Sequence, residues 1–131
     1  MREMNEIVSF NNAVLHNDIT TMLRELSFMP NYSGFNYIRE AVKMVVAMGD
    51  DVVGISKSIY PVIAKRSGTT ITSVEHSIRT AITRAWKLTD DSCKLEIFGT
   101  YALKKGWTPT NSELIYVLAD RLRCKAMLEN G

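Results

Sequence analysis

The chain has 131 residues, of which 46% are hydrophobic and 23% are charged, and its formal net charge is +2. This length and apolar content fit one compact domain with its own core and exclude wholesale disorder. No run approaches the ~20 apolar residues that cross a bilayer, and the charged start is unlike a signal peptide, so we expect a cytoplasmic protein with no membrane partner.

The two cysteines, Cys93 and Cys124, have neither metal-ligand spacing nor a neighbouring histidine. In a chain without an export signal, such cysteines are expected to be free thiols. The sequence also contains no glycine-rich phosphate loop and no paired-carboxylate motif. It therefore predicts no metal, no cofactor and no enzymatic activity.

The N-terminal third begins without strong periodicity. We expect residues 1–14 to be a flexible leader, followed by a single domain over residues 15–131. Asp18 is predicted to cap a helix. The apolar stripe of this helix consists of Ile19, Met22, Leu23 and Leu26.

A second helix is predicted after the loop at residues 27–34, which contains Pro30. It starts near Ser33 and ends at the Gly49-Asp50-Asp51 sequence. Its predicted buried residues are Phe35, Ile38, Val42, Val45 and Val46.

Residues 60–87 have the pattern of a helix, a tight turn and a second helix. The first helix should start near residues 54–56 and begin or bend just ahead of Pro61, which lacks a backbone N–H. Its core face is predicted to consist of Ile55, Ile59, Val62 and Ile63. Ala64 is small enough to let a second helix cross close by. Four residues later, Gly68 can adopt the positive φ that ends the first helix.

The second helix of this pair has one apolar and one polar face. Thr72 is predicted to cap it, with Glu75 completing a capping box. The apolar face consists of Val74, Ile78, Ala81, Ile82 and Ala85, and the polar face of Thr72, Ser73, His76, Arg79, Thr80 and Thr83. Such a pair is typical of a helix-turn-helix that enters the major groove, although hairpins in ordinary helical bundles share the pattern.

Positive charge gathers on this unit. Residues 60–90 contain five basic and two acidic side chains, whereas residues 1–59 contain five basic and seven acidic ones. This distribution is what phosphate contact requires. A solvated helix face is the alternative explanation.

The C-terminal part is predicted to be helical as well. Trp86 should pack against the core, and a short helical region should span residues 88–105. A turn at residues 106–109 leads to a second capping box, from Thr110 to Glu113. The last helix is predicted to carry the apolar residues Leu114, Val117, Leu118 and Leu122 and to place Arg121, Arg123 and Lys125 near its C-terminus, where cations complement the macrodipole.

Five runs in this chain resemble the C-terminal DNA-binding domain of the master sporulation response regulator of endospore-forming bacteria. The runs are YIREAV (37–42), IYPVIAK (59–65), VEHSIRTAI (74–82), FG (98–99) and PTNSE (109–113). Because they occur in the family's order and at nearly its spacing, the resemblance implies an all-α bundle of about six helices that contains a helix-turn-helix. It also implies binding to double-stranded promoter DNA and contact with RNA polymerase.

The resemblance and the chemistry of the side chains define the candidate site. The helix at about 71–87 would read the major groove, with Arg79 donating to guanine and Glu75 either accepting from cytosine or capping the helix. The full set of base-contact candidates is Ser73, Glu75, His76, Arg79 and Thr80. The phosphate-contact candidates are Lys65, Thr69, Thr70, Thr72, Arg84 and Lys87.

The chain departs from the family pattern at two places. Ser73 and His76 stand where the family has arginine, which puts the family's DNA sequence preference in doubt. In the region that contacts the polymerase sigma subunit in the family, mainly Phe98 and Gly99 are shared, and Lys94 and Phe98 are the contact candidates. The family also binds DNA as tandem or paired copies through its last helix, so we expect a dimer or tandem pair.

The receiver domain of the full regulator is missing from this sequence. The chain is either an excised effector domain or a stand-alone relative, and the distinct leader favours the stand-alone relative. The rival functional hypothesis is a helical protein–protein interaction module, such as a polymerase or regulator adaptor, without sequence-specific DNA binding. Its binding to DNA would depend little on salt.

Overall fold

The computed structural model describes residues 12–130, and every regular element in this range is helical. The helices are α1 (Asn12–Glu25), α2 (Ser33–Met48), α3 (Ile55–Ser58), α4 (Tyr60–Ser67), α5 (Ile71–Leu88), α6 (Asp91–Phe98) and α7 (Asn111–Asn130). Short 3-10 turns follow α2 (Gly49–Asp51) and α6 (Thr100–Leu103). Because α3 is a single turn, the described range contains six longer helices, which confirms the predicted all-α fold.

Helix α1 begins earlier than the sequence predicted. Most of the predicted leader, residues 1–11, lies outside the described residues, and residues 12–14 form the first turn of α1. Leu15 is buried, so the apolar stripe extends upstream of Ile19 and the helix starts at Asn12. The prediction that Asp18 caps this helix is therefore wrong. Its carboxylate instead forms an ion pair with the Lys125 ammonium of α7 at 3.2 Å.

Helix α2 lies at the centre of the bundle, where it packs against both α5 and α7. The five apolar residues predicted to be buried in α2 are all buried. Gly34, in its first turn, lies against α5. A Cβ atom there would overlap the carbonyl oxygen of Ser77 and lie 2.8 Å from the Cβ of Ala81. The absence of a side chain therefore allows these two helices to cross closely.

The chain bends between α3 and α4, just ahead of Pro61 as predicted. Ile59 separates the two helices, and Pro61 lies in the first turn of α4, where its missing N–H costs no helical hydrogen bond. Ile55, Ile59 and Ile63 are buried as predicted, whereas Val62 is only half-buried. The bend lets the first half of this segment contribute to the core before α4 begins.

An aromatic cluster closes the bundle behind α5. The rings of Trp86 and Phe98 meet edge to face at 5.3 Å between centroids, and Trp107 contacts both, at 5.4 Å and 5.6 Å. Trp86 is buried, which confirms that it packs in the core.

Helix α7 continues beyond the basic residues that were predicted to lie near its C-terminus. It runs to Asn130, and its last turn contains no basic residue, so the predicted macrodipole role of Arg121, Arg123 and Lys125 is wrong. Neither glycine nor proline occurs between Lys125 and Asn130, which explains the extension. Arg121 instead pairs with Glu96 of α6 at 3.6 Å, so this part of α7 is tied to neighbouring helices. None of the described helices has the length and hydropathy needed to cross a membrane.

Candidate nucleic-acid interface

The turn between α4 and α5 is built by the backbone of Gly68. This residue ends α4 in the left-handed conformation, with φ at +67°, as predicted. The Thr69 amide donates to the Ala64 carbonyl at 2.9 Å, and the Gly68 amide donates to the Lys65 carbonyl at 3.4 Å. These two bonds form a Schellman motif, which closes α4 and directs the chain into α5.

The residue that caps α5 is Thr70, so the prediction for Thr72 is wrong. The Thr70 hydroxyl accepts from the Ser73 amide at 3.0 Å and donates to the Ser73 hydroxyl at 2.9 Å. Extended backbone at Thr70 lets the helix begin at Ile71, two residues earlier than a Thr72 cap would allow. Thr72 therefore lies inside the first turn, and Glu75 is free of the capping role.

Helix α5 exposes the predicted polar face. Val74, Ile78, Ala81, Ile82 and Ala85 are buried, as predicted. The base-contact candidates occupy the opposite side: Ser73, His76 and Arg79 are exposed, and Glu75 and Thr80 are half-buried. The structure thus brings all five onto one solvent-facing surface of one helix.

The arginine among these five residues already has a partner. The Arg79 guanidinium donates to the Glu75 carboxylate at 2.9 Å, and 66% of the Arg79 side chain is exposed. This pair was not predicted from the sequence, although a glutamate four residues before an arginine is the favourable helical arrangement. An exposed pair contributes only about 0–1 kcal/mol, so a stronger ligand can replace it.

One flank of α5 faces the start of α7 across a polar cleft of about 450 Å³. The Asn111 side-chain amide donates to the Tyr60 hydroxyl at 3.2 Å and to the Glu75 carbonyl at 3.0 Å. Asn111 thereby joins α4, α5 and α7. Burial raises the pKa of Tyr60, so its hydroxyl stays protonated.

The predicted capping box of α7 is confirmed on this α7 flank. The Thr110 amide donates to the Glu113 carboxylate at 2.9 Å, and the Glu113 amide donates to the Thr110 hydroxyl at 3.1 Å. The first turn of α7 therefore carries its own negative charge.

The other flank of α5 faces the start of α2 across a smaller cleft of about 220 Å³. The first turn of α2 contains no acidic residue, and Tyr32 at its N-cap provides no side-chain hydrogen bond. The Arg84 guanidinium lies 4.8 Å from the centre of the Tyr32 ring, and His76 and Thr80 line the same cleft. This α2 flank thus combines a helix N-terminus with cationic and polar side chains.

The phosphate-contact candidates surround the polar face of α5. Lys65, Thr70, Thr72, Arg84 and Lys87 are exposed, and Thr69 is half-buried. Lys65 lies near the end of α4, and Lys87 lies in the last turn of α5. Cations are therefore present both before and after the candidate reading face.

The two polymerase-contact candidates differ in the structure. Phe98 is buried in the aromatic cluster, so its ring is a core residue and cannot form the predicted surface contact. Lys94 is half-buried, with its ammonium 4.8 Å from the centre of the Trp86 ring. Burial raises the pKa of the nearby Cys93 thiol, which therefore stays protonated at neutral pH.

A helical domain whose helix-turn-helix exposes a polar face with flanking cations is typical of DNA-binding effector domains of transcription regulators. Residues 19–122 match the family described as Sporulation initiation factor Spo0A C terminal. Because the match covers most of the chain, including α5 and both flanks, the chain belongs to this family of DNA-binding regulatory domains. The resemblance noted from the five runs is confirmed.

Proposed function

We propose that this protein is a sequence-specific DNA-binding transcription regulator that inserts α5 into the major groove. The exposed polar face of α5 is the observation that supports this proposal most directly. The turn at Gly68 and the contacts of Asn111 hold this face on a rigid frame, and a site built on rigid elements presents its side chains in defined geometry.

Within this proposal, Arg79 is the principal sequence-reading residue. Its guanidinium can donate two parallel hydrogen bonds to O6 and N7 of guanine. Glu75 holds the guanidinium on the exposed face of α5 before DNA arrives, and its carboxylate can accept from the amino group of a neighbouring cytosine. Ser73, His76 and Thr80 supply the remaining polar contacts to base edges.

The flanking residues position α5 on the duplex. Lys65, Arg84 and Lys87 are proposed to neutralise phosphates, and Thr69 and Thr72 to donate to phosphate oxygens. Thr70 is proposed to donate to a phosphate as well, once its hydroxyl proton leaves the Ser73 hydroxyl that accepts it in the free protein. The first turn of α2 adds its amides beside Arg84, and within the described part of the chain no acidic residue lines this cleft to oppose an approaching phosphate. These contacts set the register of the helix without reading sequence.

Pairing of two copies would provide enough sequence information to select a promoter. One reading helix covers only a few base pairs, so a single copy selects poorly within a genome. Helix α7 exposes Tyr116, Met127 and Leu128, which we propose as the pairing surface. Lys94, near exposed Leu95, remains the proposed contact for the polymerase sigma subunit.

A titration of duplex DNA over a range of salt concentrations tests the proposal. A DNA reader loses affinity steeply with salt because it releases condensed counterions, and losing Lys65 or Lys87 should lower the salt slope by ~1. An interaction module without DNA specificity would show little salt dependence. The absence of duplex binding even at low salt would refute DNA reading.

Selection of bound sites from random duplexes tests the reading helix itself. The selection should be run in parallel on the unmodified chain, Arg79→Ala and His76→Arg. We expect Arg79→Ala to lose a guanine preference and His76→Arg to gain one, since arginine is the commonest partner of guanine. Identical base preferences for all three proteins would show that α5 does not read sequence.

A further inference from the structure

An apolar groove of about 320 Å³ lies beside the C-terminal half of α5. Met29 and Tyr32, from the loop between α1 and α2, form one wall. Ala81, Ala85 and Leu88 of α5 form the other. The large apolar side chains stay in contact with water: Leu88 is 68% exposed, Met29 53% and Tyr32 40%.

Hydrogen bonds join the loop that forms one wall of the groove to the end of α5, which forms the other. The Ser27 hydroxyl donates to the Leu88 carbonyl at 3.3 Å, and the Thr89 hydroxyl donates to the Leu26 carbonyl at 2.7 Å. The loop is thus attached to the end of α5, and a preformed groove costs its ligand little ordering of the protein. The apolar side chains of the groove cannot bind DNA phosphates, so DNA binding does not explain why they are exposed.

The charges at the rim indicate what kind of ligand the groove would accept. Arg84 and Lys87 border it, and none of the described residues that line it is acidic. Neither cation forms an ion pair with a carboxylate among the described residues, and the Arg84 guanidinium is stacked against Tyr32. A complementary ligand therefore combines carboxylates with at least one bulky apolar side chain.

We propose that this groove docks a short acidic segment of a partner protein, with a leucine or phenylalanine inserted between Met29, Tyr32 and Leu88. Carboxylates on either side of this anchor pair with Arg84 and Lys87. An exposed methionine at such a site adapts its shape to the inserted side chain. Amphipathic segments that bind grooves elsewhere use the same combination of apolar anchors and flanking charge.

Docking would also oppose DNA binding. This consequence rests on the proposed function, in which Arg84 and Lys87 contact phosphates. A carboxylate-rich segment on the same two cations excludes those phosphates. The groove would thus allow an acidic partner to release the protein from DNA.

The test uses a synthetic peptide of about twelve residues, with leucine and phenylalanine at helical spacing among glutamates, labelled with a fluorophore. Anisotropy measured without DNA should show saturable binding to the unmodified chain. Leu88→Ser, and Arg84→Glu combined with Lys87→Glu, should each weaken binding by roughly tenfold or more. The matched control is Lys104→Glu with Lys105→Glu, which makes the same charge change on exposed residues that do not line the groove and should leave peptide affinity close to that of the unmodified chain.

Three results would overturn the docking proposal. The first is no binding of the peptide at millimolar protein. The second is an equal loss in the control variant, which would reveal non-specific charge attraction. The third is self-association that Leu88→Ser abolishes, which would make a second copy of this chain the occupant. Because Leu88 is exposed, its substitution should not unfold the chain, and circular dichroism checks this.

A second arm adds the peptide to the chain bound to its selected duplex. Release of the DNA supports competition for Arg84 and Lys87, whereas binding of the peptide without release overturns competition. If the chain binds no DNA at all, the first arm still decides whether the groove binds acidic peptides. Failure of DNA reading and failure of docking are therefore separate outcomes.

Discussion

The two flanks of α5 hold the same helix by different physical means. On the α2 flank, Gly34 brings two helix backbones together, and Arg84 stands beside a helix N-terminus without acidic residues. On the α7 flank, Asn111 joins three helices through hydrogen bonds, and the carboxylates of Glu75 and Glu113 are bound nearby. One flank is close-packed and cationic, while the other is hydrogen-bonded and carries negative charge.

This difference suggests that the two flanks make different contributions to DNA binding. A DNA phosphate at the α2 flank would be attracted by Arg84 and by the dipole of α2, whereas one at the α7 flank would be repelled by Glu113. The α7 flank, by contrast, fixes the turn of α5 that contains Glu75 and therefore the start of the Glu75–Arg79 pair. We infer that the α2 flank mainly supplies affinity and the α7 flank mainly supplies orientation.

The largest effect should come from filling the space at Gly34. Gly34→Ala places a methyl group against Ser77 and Ala81, and we expect a loss of about 3 kcal/mol in the free energy of unfolding because α2 and α5 must separate. Urea denaturation measures this loss in the free energy of unfolding. Gly68→Ala is the control: nothing lies within 4 Å, so only its positive φ is penalised, by about 1 kcal/mol. Equal losses would show that the crossing is not tightly packed.

Substitution of the two arginines should separate affinity from orientation. Arg79→Ala should cost ~1–3 kcal/mol on the selected site and much less on random DNA. Arg84→Ala should weaken binding to both DNAs by similar amounts and lower the salt slope by ~1, since it removes a proposed phosphate contact. Binding titrations on both DNAs at several salt concentrations measure this. The inferred division fails if the two variants behave alike.

Removing the side-chain amide of Asn111 should have a smaller effect on stability. Asn111→Ala should lower the free energy of unfolding by about 1 kcal/mol, because the Tyr60 hydroxyl and the Glu75 carbonyl each lose a donor. It should also reduce the preference for the selected site over random DNA. The exposed neighbour Ser112 provides the control, Ser112→Ala, which should change neither quantity. Unchanged site preference in Asn111→Ala would argue against an orienting role of this flank.

The smallest predicted effect is on the pH dependence of stability, and it involves the side of α2 that faces α1. The Lys43 ammonium donates to His16 Nδ1 at 2.8 Å, and burial, followed by the charges of Arg39 and Lys43, lowers the pKa of His16, with Glu40 acting in the opposite direction. The unfolded chain therefore binds the proton more readily, and the contribution of His16 to stability is lost as pH falls below its ordinary value of 6.5. The difference in Tm between about pH 7.5 and about pH 5.5 should be smaller for His16→Gln than for the unmodified chain. An equal difference in both proteins would assign the pH dependence to other groups.

Local sequence signals predicted the parts of the site that depend on neighbouring residues. The bend ahead of Pro61, the end of α4 at Gly68 and the capping box from Thr110 to Glu113 each follow from backbone chemistry within a few residues. The buried stripe of α5 follows from helical periodicity. Where two local signals competed, the predicted cap was Thr72 and the observed cap is Thr70, because both threonines have a polar residue three positions later.

The sequence by itself therefore determined an all-α domain, the position of its helix-turn-helix and the polar face of α5, because these depend on spacing along one chain. Only the tertiary structure decided which elements flank that face. The overlap that a side chain at Gly34 would cause, the reach of Asn111 to Tyr60 and Glu75, and the burial of Phe98 all join residues that are distant in sequence. Periodicity assigns a residue to a face of its own helix, but only packing shows which other helix meets that face.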